Sequence, residues 1–257
     1  SNDVLIMLQR VEDINPEKKI QVEAEARFLR GVYYLYLGMF FKNVPWIDET
    51  INYAEKNYYV SNTSDIYPRI DEDFSFAAEN LEETKSDVGR ANKWAAKSFL
   101  AKSLMFQQKF SEAKVLLEDI IANGQTSNGL KYDLLEFYND NFVARGKNGP
   151  EAVFTVQMSV NDGTTSGNGN TMDQYNGTYG GPATCCYGWA QPTFDFVDAH
   201  QTDPTTGLPL IDTYQNSPLP HDNGIESNQA FTPYQGSLDS RLDWSVGRRG
   251  IPYRDWG

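Results

Sequence analysis

The sequence predicts a mainly α fold: helical hairpins first, then a loop-rich later part with minor β content. Three observations predict it. Apolar residues recur at spacings of three and four as far as Ile121, with capping residues where the stripes begin. Composition shifts near Gly149-Pro150: 18 of the 22 basic residues come before it, and 13 of the 20 glycines lie from Gly163 onward. Only Glu151–Ser159 shows a clear strand alternation, with Val153, Thr155 and Gln157 on one side and Phe154, Val156 and Met158 on the other. The expected organisation is one domain over residues 1–257, with a helical frame at 1–149 and a loop-rich ligand-binding part at 150–257.

Val4, Leu5, Leu8 and Val11 form a first helical stripe that begins without a lead-in, so the chain reads as the middle of a longer protein. Asn15 followed by Pro16 is an N-cap with proline at the first helical position, where its missing N–H is no loss. From there Ile20, Ala24, Phe28, Gly31, Leu35 and Met39 form one face and Val22, Ala26, Leu29, Tyr33, Leu37 and Phe40 a second. A helix apolar nearly all round is expected in the middle of a bundle. The next helix carries Ile66, Ile70, Phe74, Ala77, Ala78 and Leu81, with Pro68 in its opening turn. Asn92 caps a helix over residues 93–108, and Ser111 is expected to cap another that closes at Asn123-Gly124. Two helices joined so tightly, with small residues at their crossing, look like a tetratricopeptide-type hairpin; no strict repeat array is present.

Charge and composition exclude several functions. The net charge of −13 repels phosphate backbones and anionic membranes, so no nucleic acid is expected as partner. The longest apolar run, Gly31–Phe41, is 11 residues, short of the ~20 needed to span a bilayer. Cys185 and Cys186 are adjacent, which excludes a disulfide framework and leaves a strained vicinal disulfide or two free thiols. His200 and His221 are the only histidines, and no G-x-S-x-G motif accompanies them. Asp198, Asp203 and Asp222 lie near them without HExxH or EF-hand spacing, so no metal and no cofactor are expected. Asn62-Thr63-Ser64 and Asn176-Gly177-Thr178 match glycosylation sequons, a pattern frequent by chance.

Glu25-Ala26-Arg27-Phe28-Leu29-Arg30, running on to Asn43-Val44-Pro45, resembles the hallmark helix of the SusD/RagB family of outer-membrane glycan-binding lipoproteins, with Gly31 where alanine is usual. Gly89-Arg90-Ala91-Asn92-Lys93-Trp94-Ala95-Ala96 is similar to a second family block, and Asn148-Gly149-Pro150-Glu151-Ala152-Val153-Phe154 to a third. Pro192-Thr193 to Phe196-Val197-Asp198 and Asp239-Ser240-Arg241-Leu242-Asp243 resemble later segments, the last with serine in place of proline. The resemblance covers the central portion of such proteins, which extend further at both ends. It implies a SusD-like fold and a lipid-anchored protein on the outer face of a bacterial outer membrane, its signal peptide and anchor absent from this chain. It also implies a non-catalytic protein that binds a polysaccharide or oligosaccharide and delivers it to a SusC-like TonB-dependent transporter.

Tyr175, Tyr179, Tyr187 and Trp189 lie among Asp173, Asn176, Gln174 and several glycines. Sugars present C–H faces that stack on rings and hydroxyls that need amide or carboxylate partners, so such a loop fits carbohydrate. Equally, aromatic rings plug loops against a core; the resemblance favours ligand binding by Asp173, Tyr175, Asn176, Tyr179, Tyr187 and Trp189. Arg27 and Arg30 invite an anion site, but pairing with neighbouring carboxylates is the stronger expectation. Trp46 and Tyr58-Tyr59 are expected to pack. The competing function is a helical-repeat adaptor that binds protein partners through the Lys93–Asn123 hairpin.

Overall fold

In the computed structural model, residues 1–157 and 192–252 are described. The chain divides into two compact units, residues 1–157 and 158–257. The first holds five helices in chain order: α1 (Asn2–Arg10), α2 (Pro16–Phe41), α3 (Tyr67–Asn80), α4 (Lys93–Phe106) and α5 (Phe110–Asn123). In the second, the described residues include two short helices, α6 (Phe194–Asp198) and α7 (Leu242–Ser245).

Helix starts follow the capping chemistry closely. Asn15 Oδ1 accepts from the backbone N–H of Glu17 and Lys18, and Pro16 occupies the first helical position of α2. Asn92, fully buried, accepts from the Ala95 N–H at 2.8 Å, while its Nδ2 donates to the carbonyls of Glu83 and Gln125. α5 departs from expectation: it begins at Phe110 after Lys109, with no side-chain cap, and Ser111 lies inside it. The reversal is tighter than the sequence suggested because Gln108 takes φ 61 and the Lys109 N–H closes onto the Leu104 carbonyl at 2.9 Å. At the other end of α5, Gly124 has an ordinary φ of −67. Its glycine is needed for space, since a Cβ would lie 2.3 Å from the Ile120 carbonyl oxygen and 2.6 Å from the Tyr132 ring.

The helices stack in series, α1 on α2, α2 on α3, α3 on α4 and α4 on α5, with α4 also reaching α2. The core runs along this stack. Phe28 is buried between Phe74, Phe99 and Phe154, with ring centroids 5.9, 5.4 and 5.0 Å away and the last two edge-on, the geometry aromatic quadrupoles favour. The face of α2 carrying Ala24, Phe28, Gly31 and Leu35 is buried as the spacing predicts. The second face divides: Ala26 is buried and Val22 packs beside it against Leu5 and Leu8 of α1, whereas Leu29, Tyr33, Leu37 and Phe40 are exposed. α2 therefore lies between α1 and α3 along its first half, while the second face of its later half has no helix packed on it among the described residues.

The predicted strand is absent over residues 151–157. Val153 and Phe154 instead pack side by side on the helical core, and Gln157 exchanges amide hydrogen bonds with the Asn148 side chain. Among the described residues no strand pairs with it, and the segment is held by its side chains. Among the described residues β structure is limited to three isolated bridges, Gln125 with Lys131, Gln201 with Leu238 and Thr202 with Pro209.

Candidate functional site

The residues the sequence nominates for ligand binding, Asp173, Tyr175, Asn176, Tyr179, Tyr187 and Trp189, all lie outside the described residues, as do Cys185 and Cys186. The described residues hold three polar or aromatic constellations that bear on function.

The first is the arginine cluster of α2. Asp73, on the facing side of α3, is 1% exposed and accepts from Arg27 Nε at 2.9 Å, Arg30 Nε at 2.7 Å and Arg30 Nη2 at 2.8 Å. Glu49 closes on Arg30 Nη1 from the segment after α2. Burial pulls the Arg30 pKa down, but its hydrogen bonds and charge pairing with Asp73 and Glu49 outweigh that, and the net shift is upward. Trp46 stacks on Tyr34 with centroids 4.2 Å apart, and Arg30 lies over the Trp46 ring. Both arginines are occupied, so the cluster ties α2 to α3 and is no anion site. Trp46 is half-buried and packs as expected.

The second is a cleft of about 330 Å³ near the start of α2, lined by Asn15, Glu17, Lys18, Gln21, Glu82 and Lys85 among others. Lys85 donates to Gln21 Oε1 at 2.9 Å and pairs with Glu25 at 3.3 Å; Arg90 Nη2 contacts both Glu25 oxygens at 2.8 and 2.7 Å. Glu25, with Glu82 also on Lys85, thus pairs the cleft's inner cations and anchors the block around Arg90 to α2.

The third lies in the loop after α2. Tyr53, Tyr58 and Tyr59 form a run of rings, with centroids 5.2 and 4.7 Å apart and interplanar angles of 42° and 44°. Tyr53 is 84% and Tyr59 89% exposed, so the packing expected of Tyr58-Tyr59 does not occur. Ile51–Val60 offers no apolar periodicity, only tyrosines among Asn52, Glu55, Lys56 and Asn57. That polar surround was the available signal for exposure.

In the second unit, the motif residues build turns. Thr193 Oγ1 caps α6 by accepting the Phe196 N–H, and Asp198 Oδ1 accepts the Leu219 N–H. The hydrogen bonds from Arg241 outweigh the cost of burial and hold Asp239 down at about 2; Leu242 is fully buried, and Asp243 pairs with Arg248 at 2.7 Å. His200 Nδ1 donates to the Phe196 carbonyl at 2.8 Å, and His221 stacks on Phe194 with centroids 4.3 Å apart. Among the described residues no three acidic, histidine or cysteine side chains gather to hold a metal, and no helix is long and apolar enough to cross a membrane.

Residues 1–105, α1 through most of α4, match the family model of SusD-like proteins, described as starch-binding and associating with the outer membrane. A SusD-like protein of Bacteroides ovatus is 28% identical over 156 residues, 56% of this chain and 27% of that protein. The structure of a laminarin-binding SusD-like protein superposes with a TM-score of 0.52 at 28% identity, covering 60% of this chain and 34% of the other. A structure obtained with a xylogluco-oligosaccharide does so with a TM-score of 0.51 at 26% identity, covering 62% and 32%. The helical part of this chain is similar to SusD-like proteins in sequence and in fold. Its stacked, tetratricopeptide-like helices are the fold of SusD-like structures. The chain spans about a third or less of the length of these SusD-like relatives.

Proposed function

We propose that this chain is part of a non-catalytic glycan-binding protein of the bacterial cell surface, which captures oligosaccharide or polysaccharide and passes it to a SusC-like TonB-dependent transporter. The observation that carries this reading is the likeness of the helical frame to a laminarin-binding SusD-like protein; the likeness to a structure holding a xylogluco-oligosaccharide supports the same ligand class. The later loop would grip sugar by stacking on Tyr175, Tyr179, Tyr187 and Trp189, with Asp173 and Asn176 receiving hydroxyls.

Among the described residues the carboxyl groups whose protonation is clearly perturbed, Asp48, Asp119, Asp203 and Asp239, are shifted downward. A transfer role suits modest affinity, about 4–7 kcal/mol, so that ligand is released.

Calorimetry with a glycan panel tests the reading. Wild type binds a member of the panel, Trp189→Ala and Tyr175→Ala each weaken that binding about tenfold, and no shortened product accumulates. Unchanged binding by both variants removes the later-loop site. The adaptor reading draws on one observation, the exposed Phe110, Val115 and Ile121 of α5; it predicts instead that polar replacement of these three abolishes capture of a protein partner.

A further inference from the structure

We propose that Tyr53, Tyr58 and Tyr59 form a second carbohydrate-stacking platform, on the helical frame and separate in sequence from the Tyr175–Trp189 loop. The ligand class rests on the glycan-binding reading above; the place rests on these residues alone. Tyr34 shows how a tyrosine of this unit behaves when it packs: its hydroxyl donates to the Ile47 carbonyl and accepts the Ile47 N–H at 2.7 Å, and its ring lies on Trp46. Tyr53, Tyr58 and Tyr59 do none of this. Their hydroxyls form no hydrogen bond among the described residues, and the rings pack only on one another outside the core clusters.

The loop beneath them is built to hold that presentation. Asn57 Oδ1 accepts the Asn52 N–H at 2.8 Å and its Nδ2 donates to the Thr50 carbonyl at 2.9 Å. Asn52 Oδ1 accepts the Glu55 N–H at 2.8 Å, and the Lys56 N–H closes a turn onto the Tyr53 carbonyl, with Lys56 at φ 55. Both asparagines thereby bond to the backbone, which holds the turn that carries the rings. Left over at the fringe are Asn52 Nδ2, the Glu55 carboxylate and the Lys56 ammonium, none of them paired among the described residues.

The setting selects the occupant. A protein partner needs continuous aliphatic surface around its aromatic anchors to complete desolvation; here half-buried Ile51 and Val60 flank the run, and the residues between the rings are Ala54 and the polar Asn52, Glu55, Lys56 and Asn57. A sugar needs a ring face for its C–H groups and solvated donors and acceptors for its hydroxyls, which this fringe supplies. The net charge of −13 favours a neutral glycan over a polyanionic one. Rings tilted 42–44° to each other make a curved rather than flat track, suited to a polysaccharide chain that bends.

The test is affinity electrophoresis and calorimetry of the chain with laminarin, xyloglucan and starch. The proteins compared are wild type, Tyr53→Ala/Tyr59→Ala, Tyr53→Phe/Tyr59→Phe and Trp189→Ala/Tyr175→Ala. The alanine pair is expected to lose about tenfold in retention on whichever polysaccharide binds, the phenylalanine pair to keep most of it, and circular dichroism to be unchanged because both rings are exposed. Wild-type retention by Tyr53→Ala/Tyr59→Ala overturns the platform whatever the later loop does. Loss in that variant with normal binding by Trp189→Ala/Tyr175→Ala leaves the platform standing and removes the later-loop site. No binding of wild type to any of the three glycans overturns both.

Discussion

Replacing Asp73 by alanine should unfold the helical frame more readily than any surface change. The carboxylate accepts three charge-assisted hydrogen bonds of 2.7–2.9 Å from Arg27 and Arg30. Its side chain is 2% exposed and that of Arg30 8%, so water cannot replace what is lost. Arg27 is less committed: Glu23 and Glu72 remain within 3.9 Å, and it can turn toward them. Arg30 keeps Glu49 and Asn2 but loses its paired acceptor on α3. Three charged bonds at face value would exceed ~4.5 kcal/mol; with Arg27 relaxing, the expected loss is about 3–5 kcal/mol, the range for leaving a buried cation unpaired. Urea unfolding followed by far-UV circular dichroism measures it. The double variant Asp73→Leu/Arg30→Met should recover most of the loss, since the penalty belongs to the orphaned charge rather than to the missing pair. A loss below about 1 kcal/mol for Asp73→Ala, or a double variant no better than the single, would show that the cluster is solvated and does not hold α2 to α3.

Two further outcomes follow from packing and burial. Gly31→Ala places a Cβ 2.8 Å from Phe74 Cε1, a ring itself fully buried. Overpacking of about 1–3 kcal/mol should exceed the ~1 kcal/mol gained in helix propensity, so the urea midpoint falls, and Phe74→Leu in the same chain restores it. Burial pushes the Tyr132 hydroxyl up to about 12, with no hydrogen-bond partner among the described residues. Because the unfolded chain releases this proton first, stability is intact below pH ~10 and declines as pH rises toward 12. Tyr132→Phe should remove that decline and add about 1 kcal/mol at neutral pH, read by urea unfolding at both pH values.

The helical frame was legible because its information is local. Asn15-Pro16 and Asn92 announce helix starts through bonds made within three residues, and the Ala24–Leu35 stripe fixes which face is buried. What was not legible depended on distant partners. The exposure of Leu29, Tyr33 and Phe40 follows from which helices pack on α2, and periodicity alone carries no count of neighbours. The alternation at residues 151–157 is that of a strand, yet β structure needs a second strand, and Phe154 packs instead on two aromatic helix residues, Phe28 and Phe99. Ser111 looked like a cap because it is a good one; the left-handed turn at Gln108 started the helix before it. The tyrosine loop stays exposed because its neighbours are mostly polar, while Arg27 and Arg30 pair as their charge and burial require.

The Asn92 side chain grips the backbone on both sides of the α4–α5 hairpin, at Glu83 before it and Gln125 after it, while capping α4 itself. Entry and exit of the hairpin are therefore knotted at one amide. The two ends of the hairpin are held together by this one side chain as well as by the packing of α5 on α4.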